Sequence, residues 1–229
     1  MENNVNIHEG HRARMRQRFR ETGFDGFNDH EVLEMLLYYA CPRKNTNDIA
    51  HQLIAKFGSF AGVLEAEYDD LISTKNISEN TAILFRMITE ILPVYYNSRS
   101  EGIMFDTIEK IMRMFEPYFI GLTHEELRMA CFDNNLRMLS NILVSSGTQY
   151  SAEISLRTII KEALRTNAVS VVICHNHPHC DETASAEDRE ATKQISQALR
   201  MINVELIDHI IITEERTYSL RQYGYLTLF

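Results

Sequence analysis

The chain has 229 residues, 45% hydrophobic and 24% charged, enough for a substantial core in one large domain or two small ones. Its net charge of −9 is opposite to the usual footprint of a protein that grips nucleic-acid phosphates. It lacks the roughly 18 uninterrupted apolar residues of a membrane span, opens on the polar "MENNVNIHEG", and spaces Cys41, Cys131, Cys174 and Cys180 without a CxxC, so a cytoplasmic protein without a disulfide framework is expected.

Residues 11–20, "HRARMRQRFR", carry Arg12, Arg14, Arg16, Arg18 and Arg20. On a helix these spread over much of the circumference, with Met15 and Phe19 as an apolar edge. A solvated face is the simpler reading, a nucleic-acid contact the other. "DHEVLEMLLYYA" predicts a helix with Asp29 at its N-cap and Glu31 in its first turn. "NTNDIAHQLIAKFG" predicts another, closed by Gly58. "SFAGVLEAEYDDLIST" and "SENTAILFRMITEILPVYY" continue the helical spacing, the latter capped by Ser78 or Asn80 and interrupted near its end by Pro93. The polar "NSRSEG", 97–102, is the candidate linker.

Beyond it, "FDTIEKIMRMFEPYF" predicts one more helix, its methionines taken as core packing. "ELRMACFD" and "RMLSNILVSSG" then predict a hairpin with its turn at Asn134–Asn135. "LRTIIKEALRTNA" reads as a helix, "VSVVIC" as a buried strand, "ASAEDREATKQISQALRMI" as a helix, "VELIDHIIIT" as a strand and "TYSL" as a short last one. The expected fold is therefore α+β: a small helical bundle over 1–100, then a mixed sheet flanked by helices over 101–229.

The buried strand ends in His175-Asn176-His177-Pro178. Residues i and i+2 of a strand point the same way, so both imidazoles can be aimed at one ion. Zinc takes imidazole nitrogens and carboxylate oxygens, and a catalytic zinc keeps a position open for water. Asp188, in the first turn of the next helix, can supply the third ligand, and Ser185 with Asp188 has capping-box spacing, S-x-x-D. A cap there also fixes where Asp188 points.

His175, His177, Pro178, Ser185 and Asp188 together resemble the JAMM (MPN/JAB) metalloprotease signature, HxHPx₆SxxD. With "EALRTNAVSVVICHNHP", "SAEDREAT", "LIDHIII" and the stretch from "GHRARMRQRF" to "GSFAGVLEA", nearly the whole chain resembles the RadC family. The resemblance implies a helix-hairpin-helix-like bundle followed by a cytidine-deaminase-like JAB/MPN domain. It implies Zn²⁺ held by His175, His177 and Asp188 with water as fourth ligand, and Ser185 hydrogen-bonding the oxyanion or the water. A glutamate ahead of the first strand would be the general base; Glu125 fits that place best, with Glu126 as the fallback, and the two point to opposite faces of a strand. The implied activity is a zinc-dependent hydrolase, a metallopeptidase or isopeptidase acting on a peptide or isopeptide substrate.

Two other functions are compatible with the sequence: a nucleic-acid-binding protein linked to DNA repair, and a metal-stabilised interaction module without catalysis. The sequence departs from the family at three places. His179 and Cys180 stand where Ser-Gly is usual, adding an imidazole and a thiol near the histidine pair, and Ala184 replaces a common proline. Asn76 and Ser78 replace both glycines of the helical-hairpin turn; Asn accepts a left-handed backbone, Ser less readily. Asp208-His209 is taken as structural or as support for a ligand.

Overall fold

The computed structural model describes residues 7–42, 44–99, 102–147, 152–178, 184–214 and 216–226. Two compact units divide the chain, Met1–Ile91 and Leu92–Phe229.

The first unit is helical: α1 (Ile7–Thr22), α2 (Asp29–Ala40), α3 (Thr46–Phe57), α4 (Phe60–Glu65), α5 (Tyr68–Ile72) and the start of α6 (Glu79–Arg99). Leu33 and Leu37 on α2 and Ile49 and Leu53 on α3, each pair four residues apart, pack with Leu71 and Phe85 in one core. Asn28, not Asp29, caps α2: its backbone N–H donates to Glu31 Oε2 at 2.9 Å. Asp29, one residue inside the helix, instead accepts the Phe60 N–H at the start of α4. Gly58 closes α3 with φ of 86°, as its position predicts. Asn76 adopts φ of 72°, so it takes the left-handed turn where the family has glycine, while Ser78 precedes α6 and accepts the Thr81 N–H at 3.4 Å.

Two of the five α1 arginines serve this fold. Arg12 donates to the carbonyls of Cys41, Pro42 and Lys44 and lies over the Tyr38 ring. Arg18 pairs with Glu31, donates to the Gly26 carbonyl and stacks on Phe27.

Helix α6 differs from expectation at its end. It runs past Pro93 to Arg99, so residues 97–99 of the expected linker are helical; residues 100 and 101 lie outside the described residues. Proline removes one N–H donor, a loss an exposed helix can carry when its neighbours stay bonded. Beyond Pro93 two polar side chains turn back on the helix, Ser98 donating to the Tyr95 carbonyl and Arg99 to the Tyr95 hydroxyl, while Asn97 donates to the Tyr118 hydroxyl.

The second unit continues with α7 (Ile108–Phe115), β1 (Glu126–Phe132), β2 (Met138–Ser146), α8 (Ala152–Thr166), β3 (Ser170–His177), α9 (Ala186–Met201), β4 (Glu205–Thr213) and β5 (Thr217–Ser219). The five-stranded sheet has the order β2-β1-β3-β4-β5. β3 is antiparallel to β1 and parallel to β4; the two outer pairs are antiparallel. This is the mixed sheet the sequence predicts. Alternation along β3 divides the core. Val171 and Ile173 face α8 and α9 with Leu127 and Met129, against Ile159 and Leu199. Val172 and Cys174 face the other way with Phe132 and Ile210, against Phe115 of α7.

The β1–β2 turn also differs from its prediction. Leu136, not either asparagine, takes the left-handed backbone at φ of 56°. The reason is Asp133, whose Oδ1 accepts N–H groups from both Asn135 and Arg137 and holds a wider turn than a two-residue one.

Candidate metal centre

Strand β3 delivers both histidines. It is hydrogen-bonded on both sides, and its burial extends to its last residues; His175 is 4% exposed. Between the pair, Asn176 ties the strand end to the start of β1. Its Oδ1 accepts the Glu126 N–H at 2.7 Å and its Nδ2 donates to the His124 carbonyl at 2.9 Å.

Helix α9 delivers the carboxylate through a reciprocal cap. Ser185 Oγ accepts the Asp188 N–H at 3.0 Å, while Asp188 Oδ2 accepts the Ser185 N–H at 2.8 Å and the Ser185 hydroxyl at 2.7 Å. The Ser185 hydroxyl proton is thus given to Asp188. With Oδ2 so held, Oδ1 is turned to His175.

The ligand atoms converge. His175 Nε2 and His177 Nε2 are 2.8 Å apart, His175 Nε2 is 3.3 Å from Asp188 Oδ1, and His177 Nε2 is 3.5 Å from Asp188 Oδ2. Bonds of about 2.0–2.1 Å in a tetrahedron set donor atoms about 3.3 Å apart, so these spacings suit a small divalent ion. His175, His177 and Asp188 could hold a metal ion. His179 and Cys180 lie outside the described residues.

The electrostatics suit a cation. Burial pushes His175 down to about 4; nearby His177 adds to this, and Asp188 opposes it. Burial alone would raise Asp188, but the hydrogen bond with His177, the charge of His175 and the Ser185 donors outweigh it and hold the carboxyl well below its usual range. At neutral pH the centre therefore offers a neutral His175 and an ionised Asp188.

This has a stability consequence. An unfolded histidine titrates near 6.5. Between pH 6.5 and 4 the unfolded chain takes up a proton that folded His175 refuses, so stability must fall as pH falls through that window. Chelator-treated protein is expected to lose about 3 kcal/mol from this residue over the window, at about 1.4 kcal/mol per pH unit. Denaturant unfolding at pH 7 and pH 4.5 measures it, and equal midpoints would contradict a buried neutral His175.

The two candidate bases differ in their surroundings. Leu127 on β1 lies opposite His175 on β3, and opposite residues of antiparallel strands share a face. That pair is the last of the β1–β3 register, and Glu125 precedes the first residue of β1. The Glu125 carbonyl still accepts the Gly147 N–H at 2.8 Å, so the β1–β2 pairing reaches this residue, and its side chain is exposed. Glu126 belongs to the other face. Its carboxylate is mostly buried, 3.4 Å from each of Arg128 Nη1, His124 Nε2 and Ser146 Oγ.

The structure puts His209, expected as structural or as support for a ligand, against His175, and adds Thr192, which the sequence did not single out. His209 Nε2 lies 2.7 Å from His175 Nδ1, and Thr192 Oγ1 lies 2.5 Å from His209 Nδ1. Burial pushes His209 well below its usual titration range. The available signal was Thr192 itself, one helical turn beyond Asp188. Asp208 beside it is structural: its carboxylate accepts from the Ser219 hydroxyl and the Arg221 N–H, holding the chain after β5.

Comparison with known proteins agrees with this architecture. A family model described as a RadC-like JAB domain matches residues 105–225. The UPF0758 protein FN0909 of Fusobacterium nucleatum is 29% identical over 94% of this chain and 97% of its own length. No helix among the described residues is long and apolar enough to cross a membrane.

Proposed function

Because the chain belongs to the RadC-like JAB-domain family, we propose that it is a zinc-dependent hydrolase of the JAMM type, cleaving peptide or isopeptide bonds. The observation that carries this reading is the convergence of two imidazole nitrogens and a capped carboxylate at the end of a buried strand. Two histidines and one carboxylate are a ligand set of catalytic rather than closed structural zinc.

His175, His177 and Asp188 would hold the ion. Bound there, zinc supplies Lewis acidity and lowers the pKa of water to about 7. Glu125 accepts a proton from the attacking water and returns it to the leaving amine, so that an amide and water give a carboxylate and an amine. Ser185 keeps Asp188 oriented through its two donors, and would stabilise the oxyanion only by turning its hydroxyl proton away from Asp188.

The test is metal-dependent amide hydrolysis. The protein is incubated with a fluorogenic peptide library and with isopeptide-linked lysine substrates, before and after chelation. Cleavage lost on chelation and restored by zinc is expected. Zinc bound at one per chain without turnover of any substrate would favour a metal-stabilised interaction module. Cleavage indifferent to chelation would overturn the metal reading.

A further inference from the structure

We propose that Thr192 and His209 form a positioning relay that commits His175 to one tautomer, with its proton on Nδ1 and its Nε2 lone pair facing the metal. This rests on the reading of the His175, His177 and Asp188 cluster as a metal site.

The proton count leads to it. Thr192 Oγ1 lies 2.5 Å from the Asp188 backbone carbonyl and 2.5 Å from His209 Nδ1. A carbonyl oxygen can only accept, and a hydroxyl has one proton to give. That proton goes to Asp188, so Thr192 presents a lone pair to His209, and Nδ1 must be the protonated nitrogen of that ring. His209 is fully buried and neutral, so its Nε2 is an acceptor. At 2.7 Å it takes a hydrogen bond from His175 Nδ1. His175 then carries its proton on Nδ1, and Nε2 is left for the ion.

The relay begins on the main chain of one ligand, Asp188, and ends on the ring of another, His175. Ligand orientation on α9 and on β3 is thereby coupled through β4, which carries His209 beside Ile173 in the parallel ladder. A metal-ligating histidine commonly donates its second N–H to a carboxylate, carbonyl or water. Here the acceptor is a second imidazole, which could flip the ligand's tautomer if its own were not fixed. Thr192 is the residue that fixes it.

The experiment compares wild type with Thr192→Val, which keeps the shape and loses the hydroxyl, and Thr192→Ser, which keeps the hydroxyl. Thr192→Ala replaces valine if the added methyl is not accommodated. Zinc affinity is measured by competition with a chromophoric chelator. Ring-nitrogen NMR of metal-free protein reads the His175 tautomer. Valine or alanine is expected to weaken zinc binding about 10- to 100-fold, with serine within about threefold of wild type. Wild type and serine should show His175 protonated at Nδ1, and the hydroxyl-free variants a mixture of tautomers. An unchanged tautomer and affinity without the hydroxyl would overturn the relay. If wild type bound no zinc, the metal reading would fail, and the NMR arm would still decide the relay.

Discussion

Wild-type protein is expected to purify with about one zinc per chain, and protein carrying His177→Ala without it. Changing a side chain that merely supports a ligand typically costs 10- to 100-fold in affinity, so removing a ligand should cost more than about a hundredfold. Only His175 and Asp188 would remain, too few to hold zinc against ordinary buffers. Asp188→Ala should behave alike, with one difference. It also removes the acceptor of the Ser185 N–H and hydroxyl and so weakens the α9 cap, at a cost of about 1 kcal/mol. Asp188→Asn can keep a carbonyl oxygen for that cap while losing the charge. Elemental analysis without added zinc reads all three variants. A wild type that stays metal-free even when zinc is offered would refute the centre.

Glu125→Gln is expected to reduce turnover by about 10²- to 10⁴-fold while leaving zinc content unchanged. The amide keeps the shape of the carboxylate but cannot take a proton from water. Glu126→Gln should behave in the opposite way. Its carboxylate sits on the other face of the sheet, beside Arg128, which stacks on Tyr118 and also donates to Asn141. Losing that partner should lower stability by about 1 kcal/mol and change turnover no more than a few-fold. Measuring kcat and the unfolding midpoint for both variants separates the roles. A large fall in kcat for Glu126→Gln with an active Glu125→Gln would reverse the assignment.

Much of this was legible because it is local. The spacing from His175 to Asp188 is a property of one strand end and one helix start, and alternating hydrophobicity gave the strands and their order of types. The cap between Ser185 and Asp188 could be read for the same reason. What could not be read depends on side-chain hydrogen bonds that override local turn and helix signals, or on partners distant in sequence. The hairpin turn moved to Leu136 because Asp133 captured two N–H groups, and α6 continued past Pro93 because two polar side chains at its end bond back to it. The partners that engage the Glu126 carboxylate, Arg128, His124 and Ser146, needed the pairing of β1 with β2. His209 is 34 residues from the ring it touches, and only the parallel pairing of β3 with β4 brings the two together.

The two supports of the centre differ in what it takes to disturb them. His175 stands where β3 is paired with both β1 and β4, and His177 where it is paired with β4, so freeing His175 means breaking two ladders. Asp188 stands in the first turn of a helix, and a helix end frays at a small fraction of that free energy. The centre therefore has a durable half and a yielding half. In rising denaturant the carboxylate is expected to leave the cluster before the histidines do.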